Sequence, residues 1–137
     1  MSFYPIHIFC GFFANGKEAD EFISQQWLPE PQGVSDTEYA EWESNNPTWA
    51  LEKDLEFFMD PDFVEPAYDV PYIQTLIQSG SEKEKFLKSI PAEGRPVFII
   101  ISKDGIWGDR RNPKDRKNVR PPEDTGKLKY LGRYNWS

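Results

Sequence analysis

The sequence predicts an α+β fold, a single-domain layer sandwich in which a small, mostly antiparallel sheet has helices packed on one face. Three observations predict it. Two apolar runs near residues 4–13 and 95–102 are typical of strands, several stretches between them have helical spacing, and the last ten residues alternate in polarity. A chain of 137 residues fits one domain, and we therefore expect residues 1–137 to fold as one unit.

The N-terminal part is predicted to form a strand followed by a helix. YPIHIFCGFF, residues 4–13, is rich in aromatic and β-branched residues, and Asn15-Gly16 turns the chain. KEADEFISQQWL, residues 17–28, has acids in its first turn and prolines after its end, as a helix does. Residues 29–47 are expected to form a loop with room for one helical turn. The expected buried side of the helix comprises Ala19, Phe22, Ile23 and Trp27.

The middle of the chain is predicted to alternate short helices with one extended segment. A helix begins at Thr48 as N-cap and ends at Asp60-Pro61, and FVEPAYD, residues 63–69, is extended, with Pro66 confining it to an edge strand or a loop. Two more helices cover PYIQTLIQ and SEKEKFLKSI, the latter with a capping box at Ser81 and Glu84. In the helix that begins at Thr48, the residues expected to be buried are Trp49, Leu51, Leu55 and Phe58.

The C-terminal part contains the least ambiguous strand. RPVFIIIS, residues 95–102, has five consecutive apolar residues, which indicates a strand covered on both faces, and Lys103-Asp104-Gly105 turns the chain. Residues 108–127 are polar and rich in proline and are expected to form a long loop. KLKYLGRYNW, residues 127–136, returns as a strand in which Leu128, Tyr130 and Tyr134 alternate with polar neighbours.

Motifs of catalysis and of cofactor or metal binding are absent from the sequence. It has no glycine-rich phosphate loop, no paired Cys or His ligands and no nucleophile elbow. His7 and Cys10, the only residues of their types, lie three positions apart in a strand and are expected on opposite faces, as core residues. We therefore expect no catalytic residue, no metal and no cofactor.

The predicted environment is the cytoplasm. No apolar stretch approaches the roughly 20 residues that span a bilayer, and the N-terminus lacks the pattern of a signal peptide. The single cysteine cannot form an internal disulfide, which fits a reducing compartment. We expect no membrane partner.

Charge is distributed unevenly along the chain. Residues 1–69 carry 15 acidic and 2 basic side chains, and residues 70–137 carry 8 acidic and 14 basic ones. The most acidic part, here called the acidic aromatic surface, spans residues 38–65 and interleaves carboxylates with Trp, Tyr and Phe. Either the aromatics are core and the carboxylates merely exposed, or the two together recognise a cationic partner. Because isolated surface ion pairs contribute only about 0 to 1 kcal/mol, internal pairing is a weak reason to concentrate so much charge.

The basic loop, residues 110–120, is open to more than one interpretation. Its cations, Arg110, Arg111, Lys114, Arg116, Lys117 and Arg120, are compatible with a solvated loop, with pairing to the acidic half, or with contact to a partner. RNA binding is disfavoured because Asp109, Asp115 and the acidic remainder oppose phosphate contacts.

Four segments in order resemble the immunity protein 22 family of bacterial polymorphic-toxin systems. The segments are HIFCGFF leading into KEADEFISQQW, then WALEKDLEFFMDPDFVE, then PVFIII, then LKYLGRYNW. MDPDFVE is similar to the aromatic-acidic D-x-D-F stretch of that family. The residues singled out by the match are Asp60, Asp62, Phe63, Glu65, Gly132 and Tyr134.

The resemblance implies a non-enzymatic immunity protein that binds and neutralises the basic C-terminal domain of a cognate toxin, a nuclease being one candidate. Two alternatives stay open: a small hydrolase using Asp60, Asp62 and Glu65 with or without a metal, and an RNA-binding module using the basic loop. The residues expected to bind the partner are Glu41, Trp42, Glu43, Asp54, Glu56, Asp60, Asp62, Phe63 and Glu65.

Overall fold

The computed structural model describes residues 4–115 and 117–136, and Arg116 of the predicted basic loop lies outside the described residues. The predicted α+β class with mostly antiparallel sheets is confirmed. The strands are β1 Tyr4–Gly11, β2 Phe57–Met59, β3 Val64–Ala67, β4 Val97–Ser102, β5 Ile106–Asp109 and β6 Leu128–Trp136. The helices are α1 Gly16–Ile23, α2 Asp36–Asn45, α3 Ala50–Leu55, α4 Val70–Leu76 and α5 Gly80–Ser89.

The main sheet has four strands in the order β3-β4-β1-β6, and each neighbouring pair is antiparallel. Strand β3 lies at an edge, as expected from Pro66, which has no N–H to donate to a second neighbour. Strands β2 and β5 form a separate two-stranded ribbon. Two short 3-10 turns, Pro61–Phe63 and Lys103–Gly105, precede β3 and β5.

Helices cover both faces of the main sheet, which corrects the expectation of one covered face. On the first face, Phe9 and Ile99 pack with residues of α1, α3 and β2, such as Ile23 and Leu51. On the second face, Ile8 and Ile100 pack with α4 and α5. All six residues of β4 are buried, because successive side chains alternate between two covered faces.

The segment after α1 departs most from its predicted structure. The helix ends at Ile23 rather than near Leu28, because Gln26 forms an isolated bridge with Thr48. Trp27, expected on the buried side, is therefore 60% exposed. A helix of ten residues, α2, occupies part of the predicted loop, capped by the Ser35 hydroxyl. It has no buried residue, so no apolar stripe indicates it in the sequence.

Helix α3 is shorter than predicted, and its end creates the ribbon. Glu56 adopts a left-handed conformation with φ of 59°, which ends the helix before Asp60-Pro61. The chain then enters β2, where Phe57 rather than Phe58 is fully buried. Trp49 rather than Thr48 occupies the N-cap position.

Helix α5 and strand β6 are present with local differences. The N-cap of α5 is Ser79, whose hydroxyl accepts from Glu82, two residues before the predicted capping box. In β6 a register irregularity opposite Ile8 and Phe9 interrupts the alternation. Tyr130 therefore packs on the first face with Leu128, whereas Tyr134 is buried on the second.

Candidate partner-binding cleft and charge distribution

Two arginines that follow β5 contact the carboxylates of α3 directly. The Arg110 guanidinium pairs with Glu52 and also donates to the Phe57 carbonyl at 3.1 Å. Arg111 pairs with Glu56 and, at 2.8 Å, with Glu123. Internal pairing, disfavoured above because isolated surface ion pairs contribute little, therefore does occur at Glu52 and Glu56.

The Arg120 side chain is more buried than those of Arg110 and Arg111. Its guanidinium lies 4.1 Å from the centroid of the Phe57 ring and donates to the carbonyls of Leu55 and Glu56 at 2.6 and 3.0 Å. It also pairs at 3.2 Å with Asp109, which is only 4% exposed. Part of the basic loop therefore holds the end of α3, where carbonyls have no partner within the helix. Pairing with the acidic half, one of the open interpretations, accounts for Arg110 and Arg111, whereas Arg120 pairs with Asp109 and Glu123 of the other half.

Asp54 is also used within the molecule, since its carboxylate accepts from the Thr125 hydroxyl at 2.5 Å. Thr125 in turn accepts from the backbone N–H of Leu128, at the start of β6. Asp54 and Glu56 thus join α3 to the segment between β5 and β6. Their contact with a partner stays a prediction, and the structure gives both a role in the fold.

The end of the acidic aromatic surface lines a cavity of about 300 Å³, here called the acidic cleft. The cleft lies beside edge strand β3, on the second face of the sheet. Most of its wall is apolar, and among the described residues that line it Asp62 and Glu65 are the ionisable ones. The lining residues are Ile6, Asp62, Phe63, Val64, Glu65, Leu76, Ile100, Ser102 and Trp136.

The carboxylates at the acidic cleft have no cationic partner among the described residues. Asp62 is exposed and makes no ion pair there, and Glu65 accepts a hydrogen bond from the Tyr72 hydroxyl. Asp60 accepts from the Asp62 backbone N–H at 3.0 Å and so caps the 3-10 turn that presents Asp62 and Phe63. Phe63, 39% exposed, also forms part of the wall. The predicted Asp62, Phe63 and Glu65 are therefore brought together in one concave site.

The positions of Asp60, Asp62 and Glu65 can be compared with what the hydrolase alternative requires of them. Within residues 4–115 and 117–136, no three His, Cys, Asp or Glu side chains are grouped closely enough to hold a metal ion. Asp60 is engaged with its own turn, and Glu65 with Tyr72. The chemistry offered by the cleft is a pair of carboxylates above an apolar wall, which suits the alkyl stem and charged head of a lysine or arginine.

Comparisons of the chain with family models, curated proteins and solved structures find no match.

The remaining predicted residues lie on α2. Glu41 and Glu43 are exposed, and Trp42 is half-buried, with ring centroids 6.1 Å from Trp27 and 5.5 Å from Tyr39. The side-chain amide of Asn46 joins the end of α2 to the Leu28 backbone N–H. Here the rings of Tyr39, Trp42 and Trp27 contact one another at tilted angles, near the bridge between Gln26 and Thr48.

His7 and Cys10 lie on opposite faces of the sheet, as expected. Cys10 is buried with the α4 and α5 side, and burial raises the pKa of its thiol. His7 faces the other side, where its Nδ1 lies 2.9 Å from the Tyr130 hydroxyl. Burial, with a smaller contribution from Arg133, lowers the pKa of His7 to about 4, so the ring is neutral at pH 7.

Sequence reasoning missed the residues that complete the acidic cleft. Tyr72 and Leu76 come from α4 and Trp136 from the end of β6, far from Asp62 in sequence. The amphipathic pattern of α4 indicates that it packs, but not on which strand. No helix within the described residues has both the length and the apolar character needed to traverse a bilayer.

Proposed function

We propose that this protein is an immunity protein that binds a basic toxin domain through the acidic cleft and thereby neutralises it. The family resemblance of the four segments suggests the class, and the cleft suggests where binding occurs. Binding rather than catalysis is the function that this site supports best. We expect the protein to act in the cytoplasm, where such a toxin would meet it.

One observation carries the proposal. The fold pairs its loop arginines with Glu52, Glu56 and Asp109, whereas Asp62 and Glu65, at a concave apolar site, have no ion pair among the described residues. Unpaired carboxylates around an apolar cavity are costly to desolvate unless a cation meets them. A partner that supplies that cation would offset this cost and gain the apolar contact as well.

The occupant that fits the acidic cleft is a lysine or arginine side chain of the partner. Its alkyl stem would contact the apolar wall at Leu76, and its charged head would lie between Asp62 and Glu65. A buried, hydrogen-bonded charge pair at the centre of an interface typically loses about 2 to 5 kcal/mol when one partner is removed. The other carboxylates nearby would increase the rate of association more than the affinity.

Neutralisation can be tested in a bacterial host. The candidate toxin is the basic C-terminal domain of a large secreted protein encoded next to the gene for this chain, expressed with and without it. We expect growth arrest by that domain alone, rescue by co-expression, and co-purification of the pair. A neighbouring domain that arrests growth but is neither rescued nor bound by this protein would overturn the proposal, as would the lack of any such neighbouring gene.

The role of the acidic cleft can be tested separately from the proposal that this is an immunity protein. Asp62→Lys with Glu65→Lys should abolish rescue, because both unpaired carboxylates are reversed. Glu84→Lys with Glu93→Lys, two exposed carboxylates outside the cleft, makes the same change in net charge and should preserve rescue. Rescue by both variants would place the interface elsewhere and leave the proposed class standing.

A further inference from the structure

A second cavity, of about 500 Å³, lies on the first face of the sheet and is here called the basic cavity. Successive residues of β1 separate the two sites, since Ile6 lines the acidic cleft and His7 lines the basic cavity. The proposed function uses only the acidic cleft. The residues around the basic cavity are His7, Lys103, Ile106, Lys117, Val119, Arg120, Pro121, Pro122, Tyr130 and Arg133.

The basic cavity has an unusual charge for this protein. The chain has a net charge of -7, yet four of the ten lining residues are lysine or arginine and none is acidic. Lys103, Lys117 and Arg133 make no ion pair with a carboxylate of the described residues. Several cations left unpaired around one concavity create a positive potential that attracts an anion.

The nearby carboxylates do not neutralise Lys103, Lys117 and Arg133, because they have other partners. Asp109 and Glu123 pair with Arg120, and Asp124 accepts from the Tyr130 backbone N–H at 2.7 Å. Asp115 accepts from the backbone N–H groups of Lys117 and Asn118. These carboxylates hold the loop in place, so the side chains of Lys103, Lys117 and Arg133 keep their charges for another anion.

The remaining lining suits a ligand that also has an organic body. Ile106, Val119 and two prolines form apolar wall, and Tyr130 and His7 form a hydrogen-bonded pair beside them. The pKa of Tyr130 is raised to about 12, mainly by burial, so both rings are neutral at pH 7. A volume of about 500 Å³ falls within the roughly 300–1,000 Å³ of small-molecule sites.

We infer that the basic cavity binds a small phosphorylated molecule of the size of a nucleotide. Lys103, Lys117 and Arg133 would contact its phosphates, and the apolar wall with Tyr130 would contact its organic part. Arg120 is held by Asp109 and by backbone carbonyls. It would therefore add mainly to the positive electrostatic potential of the cavity and form a fixed part of its wall.

The inference can be tested with ATP, pyrophosphate and inorganic phosphate as probes. His7 is the only histidine, so its ring Cε1–H signal reports on this cavity without assignment ambiguity. We expect ATP to shift that signal saturably, with a Kd below about 1 mM, and pyrophosphate to bind more weakly because it lacks the organic part. Absence of saturable binding by all three probes would overturn the inference.

Matched variants separate a site from general attraction to a basic loop. Lys103→Gln with Arg133→Gln should weaken ATP binding by at least about tenfold. Lys88→Gln with Arg95→Gln removes the same two charges from exposed positions outside the cavity and should leave it unchanged. Equal weakening by both pairs would contradict the inference.

A single-stranded oligonucleotide forms the last arm of the experiment. It should compete with ATP no better than an equal concentration of a mononucleotide. Tight oligonucleotide binding that is lost in Lys103→Gln with Arg133→Gln, without measurable ATP binding, would assign the cavity to nucleic acid and overturn the small-molecule inference. Far-UV circular dichroism of each variant checks that the fold is intact.

Discussion

At the scale of single residues, the charges of this protein fall into two groups. Arg110, Arg111 and Arg120 contact carboxylates and carbonyls at the end of α3, whereas Asp62 and Glu65 lie at a cavity without such contacts. Carboxylates therefore stabilise the fold at the end of α3, whereas those at the acidic cleft remain available for a partner. Sequence alone cannot separate them, because pairing depends on which loop folds onto which helix.

Arg120 is expected to contribute far more stability than its neighbour Arg111. Arg120→Met keeps the alkyl stem over Phe57 but leaves Asp109 buried without its cation, which costs on the order of 3 to 5 kcal/mol of unfolding free energy. Arg111→Met removes two ion pairs from a side chain that is 53% exposed and should cost only about 1 kcal/mol. Urea denaturation measures both. Equal losses would show that burial of the Asp109 pair is unimportant.

His7 provides a prediction about pH. Its pKa in the folded protein is about 4 and its ordinary value is 6.5, so between these values the unfolded chain binds more protons than the folded one. Protonation of His7 therefore removes stability as the pH falls from about 6.5 to about 4. An NMR titration of the single histidine should give a midpoint near 4.

The cause of that pKa shift can be checked with one variant. Arg133→Gln should raise the midpoint only partway towards 6.5, because burial is the larger cause and the Arg133 charge the smaller one. A midpoint near 6.5 in the unmodified protein would contradict the burial of His7 against Tyr130.

At the scale of elements, buried strands could be predicted from the sequence and peripheral elements could not. Strands β1 and β4 were predictable because continuous apolar runs dictate burial on both faces. Helix α2 was not, because none of its residues is buried and its cap and polar contacts are local. The end of α3 at Leu55 depends on a left-handed Glu56, a conformation that no residue pattern indicated.

Strand β6 illustrates the same limit within one element. Strict alternation from Leu128 would place Tyr134 on the first face, yet the irregularity near Gly132 moves it to the second. Gly132 has φ of 127°, a conformation that is essentially restricted to glycine. The resemblance singled out Gly132 and Tyr134, and the structure gives both a role in packing.

Gly132→Ala is therefore expected to destabilise the protein by about 1 to 3 kcal/mol. The added Cβ would also approach the Tyr134 hydroxyl to 3.2 Å. Gly126→Ala is the control, since no atom lies within 4 Å of its Cβ position and its φ is not positive. Thermal unfolding of the two variants gives the comparison, and a Gly132→Ala protein as stable as the control would refute the conformational requirement.

At the scale of the whole molecule, charges of opposite sign line two separate sites, the acidic cleft and the basic cavity. Arg110 and Arg111 of the basic half pair with Glu52 and Glu56, and some of the remaining charges of each sign line cavities on opposite faces of one sheet. The sequence predicted Asp62 and Glu65 as partner-binding residues, and both line the acidic cleft. It could not indicate the basic cavity, because His7, Lys103 and Arg133 are brought together only by the pairing of β1 with β4 and β6.

The most direct test of the central claim is the affinity of this protein for the proposed toxin domain, measured by isothermal titration calorimetry for three proteins. The unmodified chain and Glu84→Lys with Glu93→Lys should bind with similar Kd values. Asp62→Lys with Glu65→Lys should bind at least about 30-fold more weakly, as expected for the loss of about 2 kcal/mol or more. Equal affinity of all three proteins would contradict a role for the acidic cleft in binding.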